Sequence, residues 1–64
     1  KYSVNIQIEV IRVVNILKRK YKLLEEKYED YWYGIFEVPA GISGEFLSDV
    51  SKLSNGLAEV VEIK

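Results

Sequence analysis

The chain has no cysteine, no histidine, no methionine and no threonine. Without cysteine it can form neither a disulfide nor a cysteine-based zinc or iron–sulfur centre. Without histidine it lacks the commonest general base and the commonest transition-metal ligand. It has a single proline and four glycines, so few backbone breakers punctuate it. No apolar run approaches the ~20 residues that a membrane span requires, and no secretory segment is legible. Charge of one sign is lacking too: nine Lys and Arg stand against ten Asp and Glu, for a net charge of −1. Such a balance gives no bulk field to hold a nucleic acid or a membrane surface.

What is present is short. Sixty-four residues make one domain with one core, which a longer chain could carry as a part: the sequence begins at Lys1 and contains no Met. A domain this small buries only about 60% of the surface its unfolded chain exposes, and small domains of this kind usually need a staple. With disulfides and soft metals excluded, association with a second copy is the expected staple. The lack of Cys fits a reducing, cytoplasmic setting. The wealth of Lys, Glu, Ile, Val and Tyr has a thermophilic cast.

Residues 2–10 alternate, with Tyr2, Val4, Ile6, Ile8 and Val10 set against Ser3, Asn5, Gln7 and Glu9. This predicts a half-buried strand over 2–9. The period then changes. Val10, Val14, Leu17, Tyr21, Leu24, Tyr28 and Tyr31 step by four and three, and the stripe predicts a helix over 11–29. Because Val10 belongs to both patterns, a helix reaching back to residue 3 is the alternative. The charges along this helix run against its dipole, basic first (Arg12, Lys18, Arg19, Lys20, Lys22) and acidic last (Glu25, Glu26, Glu29, Asp30). Local pairs such as Lys22–Glu26, or an antiparallel copy of the same helix, would account for that order.

Residues 31–38 predict a second strand, with Trp32, Phe36 and Val38 on one face and Tyr31, Tyr33 and Ile35 on the other. Pro39 closes it. Ser43 reads as the N-cap of a helix over 44–54 whose buried face is Phe46, Leu47, Val50 and Leu53. Asn55-Gly56 ends that helix, and 57–63 is the last strand. The expected fold is thus α+β, in the order β-α-β-α-β. A three-stranded sheet would have parallel right-handed crossovers and both helices on one face. The other face would be open, and Tyr31, Tyr33 and Ile35 on it are the candidate interface of a homo-oligomer.

The serines lie at expected caps and turns, where local hydrogen bonding accounts for them. The acidic run Glu25, Glu26, Glu29 and Asp30 lacks the alternating oxygen ligands of a calcium loop, and no metal or other cofactor is expected. Gly41-Ile42-Ser43-Gly44 matches neither phosphate-binding fingerprint. Strand aromatics with Lys18, Arg19 and Lys20 as phosphate contacts would make a nucleic-acid-binding module, the first alternative. A structural subunit of a larger assembly is the second.

From Tyr33 onward, the strand Ile35–Val38, the helix Glu45–Leu53, the stop Asn55-Gly56 and the strand Leu57–Ile63 follow one another. In this order the second half of the chain resembles small ferredoxin-like regulatory domains of the ACT kind. The resemblance implies a β-α-β-β-α-β fold, pairing through sheets, and a small-molecule effector bound where copies meet. It carries over no particular binding residue, and only one strand is legible here between the helices. The expected function is a non-catalytic, oligomerising interaction or ligand-sensing module. With neither His nor Cys, the purified chain should show no hydrolase or redox activity. A pH–rate profile that collapses on replacing one Glu or Lys would contradict this.

Overall fold

The computed structural model describes residues 1–63. Strand β1 (Tyr2–Gln7) leads through a 3-10 turn at Ile8–Val10 into helix α1 (Arg12–Lys20). Strands β2 (Lys22–Tyr28) and β3 (Tyr31–Glu37) form a hairpin. A second 3-10 turn, Ala40–Ile42, precedes helix α2 (Ser43–Ser54) and strand β4 (Ala58–Glu62). The sheet has four strands in the order β2-β3-β1-β4, and every neighbouring pair is antiparallel. In outline this is the ferredoxin-like β-α-β-β-α-β arrangement.

Two expectations are corrected here. The sheet has four strands and no parallel neighbours, where three strands with parallel crossovers were expected. The helix expected over 11–29 divides: its first half is α1, and its second half is β2. Nothing local ends α1. Tyr21 turns to extended geometry (φ −132°, ψ 157°) directly after Lys20, without glycine or proline. Its ring instead packs edge-on against Phe46 at 4.9 Å. Tertiary burial of one side chain therefore stops the helix. The helix-favouring Lys, Leu and Glu of β2 are overruled by pairing with β3. A β-bulge at Leu24, between the Leu23↔Phe36 and Glu25↔Ile35 pairs, shifts the register. The Glu29-Asp30 turn has no glycine, asparagine or proline to announce a hairpin.

This division also removes the charge-order puzzle. Lys18, Arg19 and Lys20 lie in the last turn of α1, where the dipole favours cations. The acidic run belongs to β2 and its turn, so an antiparallel helix partner and a helical Lys22–Glu26 pair have no basis.

The other elements keep the expected faces. Tyr2, Val4 and Ile6 of β1 and Trp32 and Phe36 of β3 are buried. They form one core with Val13, Val14 and Leu17 of α1 and Phe46 and Val50 of α2. Both helices therefore cover the same face of the sheet. Ile8 falls in the 3-10 turn and is exposed, and Leu47 is exposed on α2, although burial was expected for both. Ser43 is the first residue of α2 rather than its cap, and its hydroxyl donates back to the Ala40 carbonyl at 3.0 Å. At the other end both Asn55 (φ 55°) and Gly56 (φ 83°) are left-handed, and their amides close onto Lys52 and Ser51.

Trp32 and Gly34 are neighbours on the helix-covered face of β3, and the indole lies across the glycine. A Cβ at residue 34 would fall 2.0 Å from the ring carbon Cη2 of Trp32. Gly34→Ala should therefore push the indole out of place and cost about 1–3 kcal/mol as overpacking, despite alanine's lower chain entropy. Urea unfolding followed by the fluorescence of Trp32, the sole tryptophan, measures it; an unchanged or raised midpoint would contradict this packing.

Candidate functional site

The face of the sheet that the helices leave uncovered is the candidate site. Cross-strand pairing places its residues in rows. One row runs Lys27, Tyr33, Asn5, Glu59, and the next runs Glu25, Ile35, Ser3, Val61. Tyr31 lies beyond the first row, beside Gln7. Tyr33 and Ile35 are half-buried by their neighbours, whereas Tyr31 and Val61 are 43% and 60% exposed. The three expected interface residues, Tyr31, Tyr33 and Ile35, are thus together on one open face.

Two hollows mark this face. The first, about 190 Å³, is lined by Asn5, Gln7, Tyr31, Tyr33 and Glu59 together with the Gly56–Ala58 segment that enters β4. The two tyrosine rings meet edge-to-face at 6.2 Å and 80°, so they form a corner rather than a flat stacking platform. The second is a shallow trough of about 530 Å³ lined by Ser3, Glu25, Lys27, Tyr33 and Ile35 among others. Amides, phenols and a carboxylate line the first hollow and no cation does, which suits a neutral hydrogen-bonding group better than a phosphate. Asn5, Gln7 and Glu59 were not singled out from sequence. The signal for Asn5 and Gln7 was the polar half of the alternation in β1, which by itself says only that a face is wet; Glu59 lies in a segment that does not alternate.

The basic cluster lies elsewhere, at the C-terminal end of α1. Lys18 Nζ pairs with Glu26 Oε2 at 3.0 Å, and the same oxygen accepts the Trp32 indole N–H at 3.2 Å. Lys20 Nζ pairs with Asp49 Oδ2 at 2.6 Å, and the Tyr21 hydroxyl donates to that oxygen at 2.8 Å. Two of the three cations therefore tie α1 to β2 and to α2. Arg19 is exposed. Glu25 and Glu26 point to opposite faces of β2, and among the described residues no three acidic side chains converge on a metal-sized site. None of the described helices is long and apolar enough to cross a membrane.

No model of a known protein family matches the chain, nor does any curated protein.

The α1–α2 latch makes stability depend on pH in a stated direction. Hydrogen bonds from Lys20 and then Tyr21 hold the Asp49 carboxyl below its ordinary value, although partial burial opposes them. A group lowered on folding stabilises above its unfolded pKa, and that contribution is lost as pH falls through the folded one. Tyr21 is pushed well up, by burial first and by its bond to Asp49 second. Lys20 is raised chiefly by its hydrogen bond to Asp49. Their contributions are complete below their unfolded values, near 10, and fade as pH rises through the folded values. The latch should thus act fully between about pH 5 and 10. Melting temperature measured across that range and beyond should show Asp49→Asn less stable than wild type at pH 7. The difference should shrink toward pH 3. A difference independent of pH would remove the latch from the account.

Proposed function

We propose that this chain is a non-catalytic interaction module that associates with itself through the open face of its sheet. The observation that carries this reading is the uncovered face itself. Tyr31, Tyr33, Ile35 and Val61 lie on the side of the sheet opposite both helices, in a domain small enough to benefit from further burial. Closing that face would remove Tyr33 and Ile35 from water, worth a few kcal/mol per chain at ~25 cal/mol per Å². For a domain of ~5 kcal/mol that is a large increment. The order β-α-β-β-α-β, with two strands between the helices, is in keeping with an ACT-like regulatory role. In that role the 190 Å³ hollow beside Tyr31 and Tyr33 is where a small polar effector would sit. The nucleic-acid alternative gains less support, because Lys18 and Lys20 are engaged by carboxylates and the open face carries Glu25 and Glu59.

Sedimentation of the wild-type chain over a hundredfold range of concentration tests the reading, with a monomer–dimer equilibrium expected. Its melting temperature should rise with concentration. Tyr33→Lys/Ile35→Lys should remain monomeric yet folded, because neither side chain belongs to the core. A wild-type chain that stays monomeric throughout, with a concentration-independent melting temperature, would overturn it.

A further inference from the structure

The two rows on the open face carry more than apolar area; they carry a charge pattern with a handed fit to itself. On β2, Glu25 and Lys27 stand two residues apart on the open face, paired with Ile35 and Tyr33 of β3. The trough beside them joins these same four side chains to Ser3 of β1. Two identical faces can be related by a two-fold axis lying between the sheets, and such an interface sets each residue against a fixed counterpart. The axis has two simple directions.

If it runs along the strands, β2 of one copy lies over β4 of the other. Lys27 then meets Glu59, but Glu25 meets Val61, and Tyr33 and Ile35 meet Asn5 and Ser3. If it runs across the strands, midway between the two rows, each strand lies over itself with the rows exchanged. Lys27 then meets Glu25 and Glu25 meets Lys27. Tyr33 meets Ile35 and Ile35 meets Tyr33, while Asn5 meets Ser3 and, on the far edge strand, Glu59 meets Val61. Only the second arrangement sets both charges of β2 against opposite charges and both apolar side chains of β3 against each other. The charges fall at the rim, on an edge strand, where water remains, and the apolar pair falls inside them, as in ordinary interfaces.

We infer that the chain forms a face-to-face homodimer about a two-fold axis perpendicular to its strands. In it, Lys27 of each copy pairs with Glu25 of the other around a Tyr33–Ile35 contact. The inference rests on the self-association reading above and adds its register. Within one copy Lys27 already pairs with Glu29 at 2.9 Å, but that lysine is 70% exposed and its partner 47%, so the pair is readily exchanged. Sheets packed face to face stand about 10 Å apart, a gap that long Lys and Glu side chains reaching from both sides can close.

The experiment uses charge reversal, with Trp32 fluorescence and circular dichroism confirming that each variant is folded. Lys27→Glu alone and Glu25→Lys alone each create two like-charge contacts per dimer and should weaken dimerisation about tenfold at low salt. The loss should fade near 1 M salt, where the screening length is about 3 Å. Mixing the two variants should restore a dimer, now a heterodimer, because the carboxylate introduced in one copy then faces the ammonium introduced in the other. Rescue of Lys27→Glu by Glu59→Lys in place of Glu25→Lys would establish the strand-parallel axis. That would overturn this register while leaving self-association standing. A dimer indifferent to all three reversals would overturn it as well, and a wild-type monomer would remove both proposals together.

Discussion

The indole of Trp32 lying across Gly34 is the contact on which the rest of the structure depends. It fills the space over the middle of β3, which only a residue without a side chain leaves open. From there the ring touches Phe36 at 6.0 Å, and Phe36 touches Phe46 of α2 at 5.5 Å. Its N–H reaches Glu26 on β2, and Glu26 in turn holds Lys18 on α1. One side chain on β3 is thus joined by short steps to the neighbouring strand and both helices. Glycine in a strand is ordinarily a weakness, since it contributes no packing and loses much chain entropy. Here the tryptophan supplies the packing that the glycine lacks.

The same arrangement explains the asymmetry between the faces of the sheet. On the covered side, rings crowd around Phe46, which approaches Tyr2, Tyr21 and Phe36 within 5.5 Å. On the open side the central strand shows only Ser3, Asn5 and Gln7, and the apolar groups sit on the strands beside it. That face is mixed rather than greasy. Association through such a face, as proposed above, would select one register, because polar and charged groups out of register would be left unpaired.

The polar links serve the fold before anything else. Lys18 and Lys20, part of a basic run in the sequence, pair with Glu26 and Asp49, each on another element. Ser54, wholly buried, returns its hydroxyl to the Val50 carbonyl at 2.6 Å, a bond within its own helix. Among the described residues no buried side-chain polar atom lacks a partner. A small core can tolerate few unsatisfied groups, each of which costs about 1–3 kcal/mol.

Sequence alone determined the faces of the alternating strands and the stop of α2, but not the second half of the long helical stripe. The alternation in β1 and β3 assigned their faces residue by residue, including the open-face trio Tyr31, Tyr33 and Ile35. The Asn55-Gly56 stop placed the end of α2, because left-handed geometry selects those residue types. Gly34 within a strand was a signal of close approach that could have been read, although its partner Trp32 could not. Tertiary structure decided where α1 ends. Lys22–Tyr28 has helix-favouring composition and a helix-like stripe, and its hairpin turn carries no breaker. Pairing with β3 and burial of Tyr21 under Phe46 outweigh that local preference, which amounts to only a few tenths of a kcal/mol per residue. The fourth strand, the pairing of Lys18 with Glu26 of β2, and the facing of Glu25 and Lys27 toward the open side all follow from that one override. No short window of sequence contains it, because the residues that decide it, Tyr21 and Phe46, lie far apart along the chain and meet only when it folds.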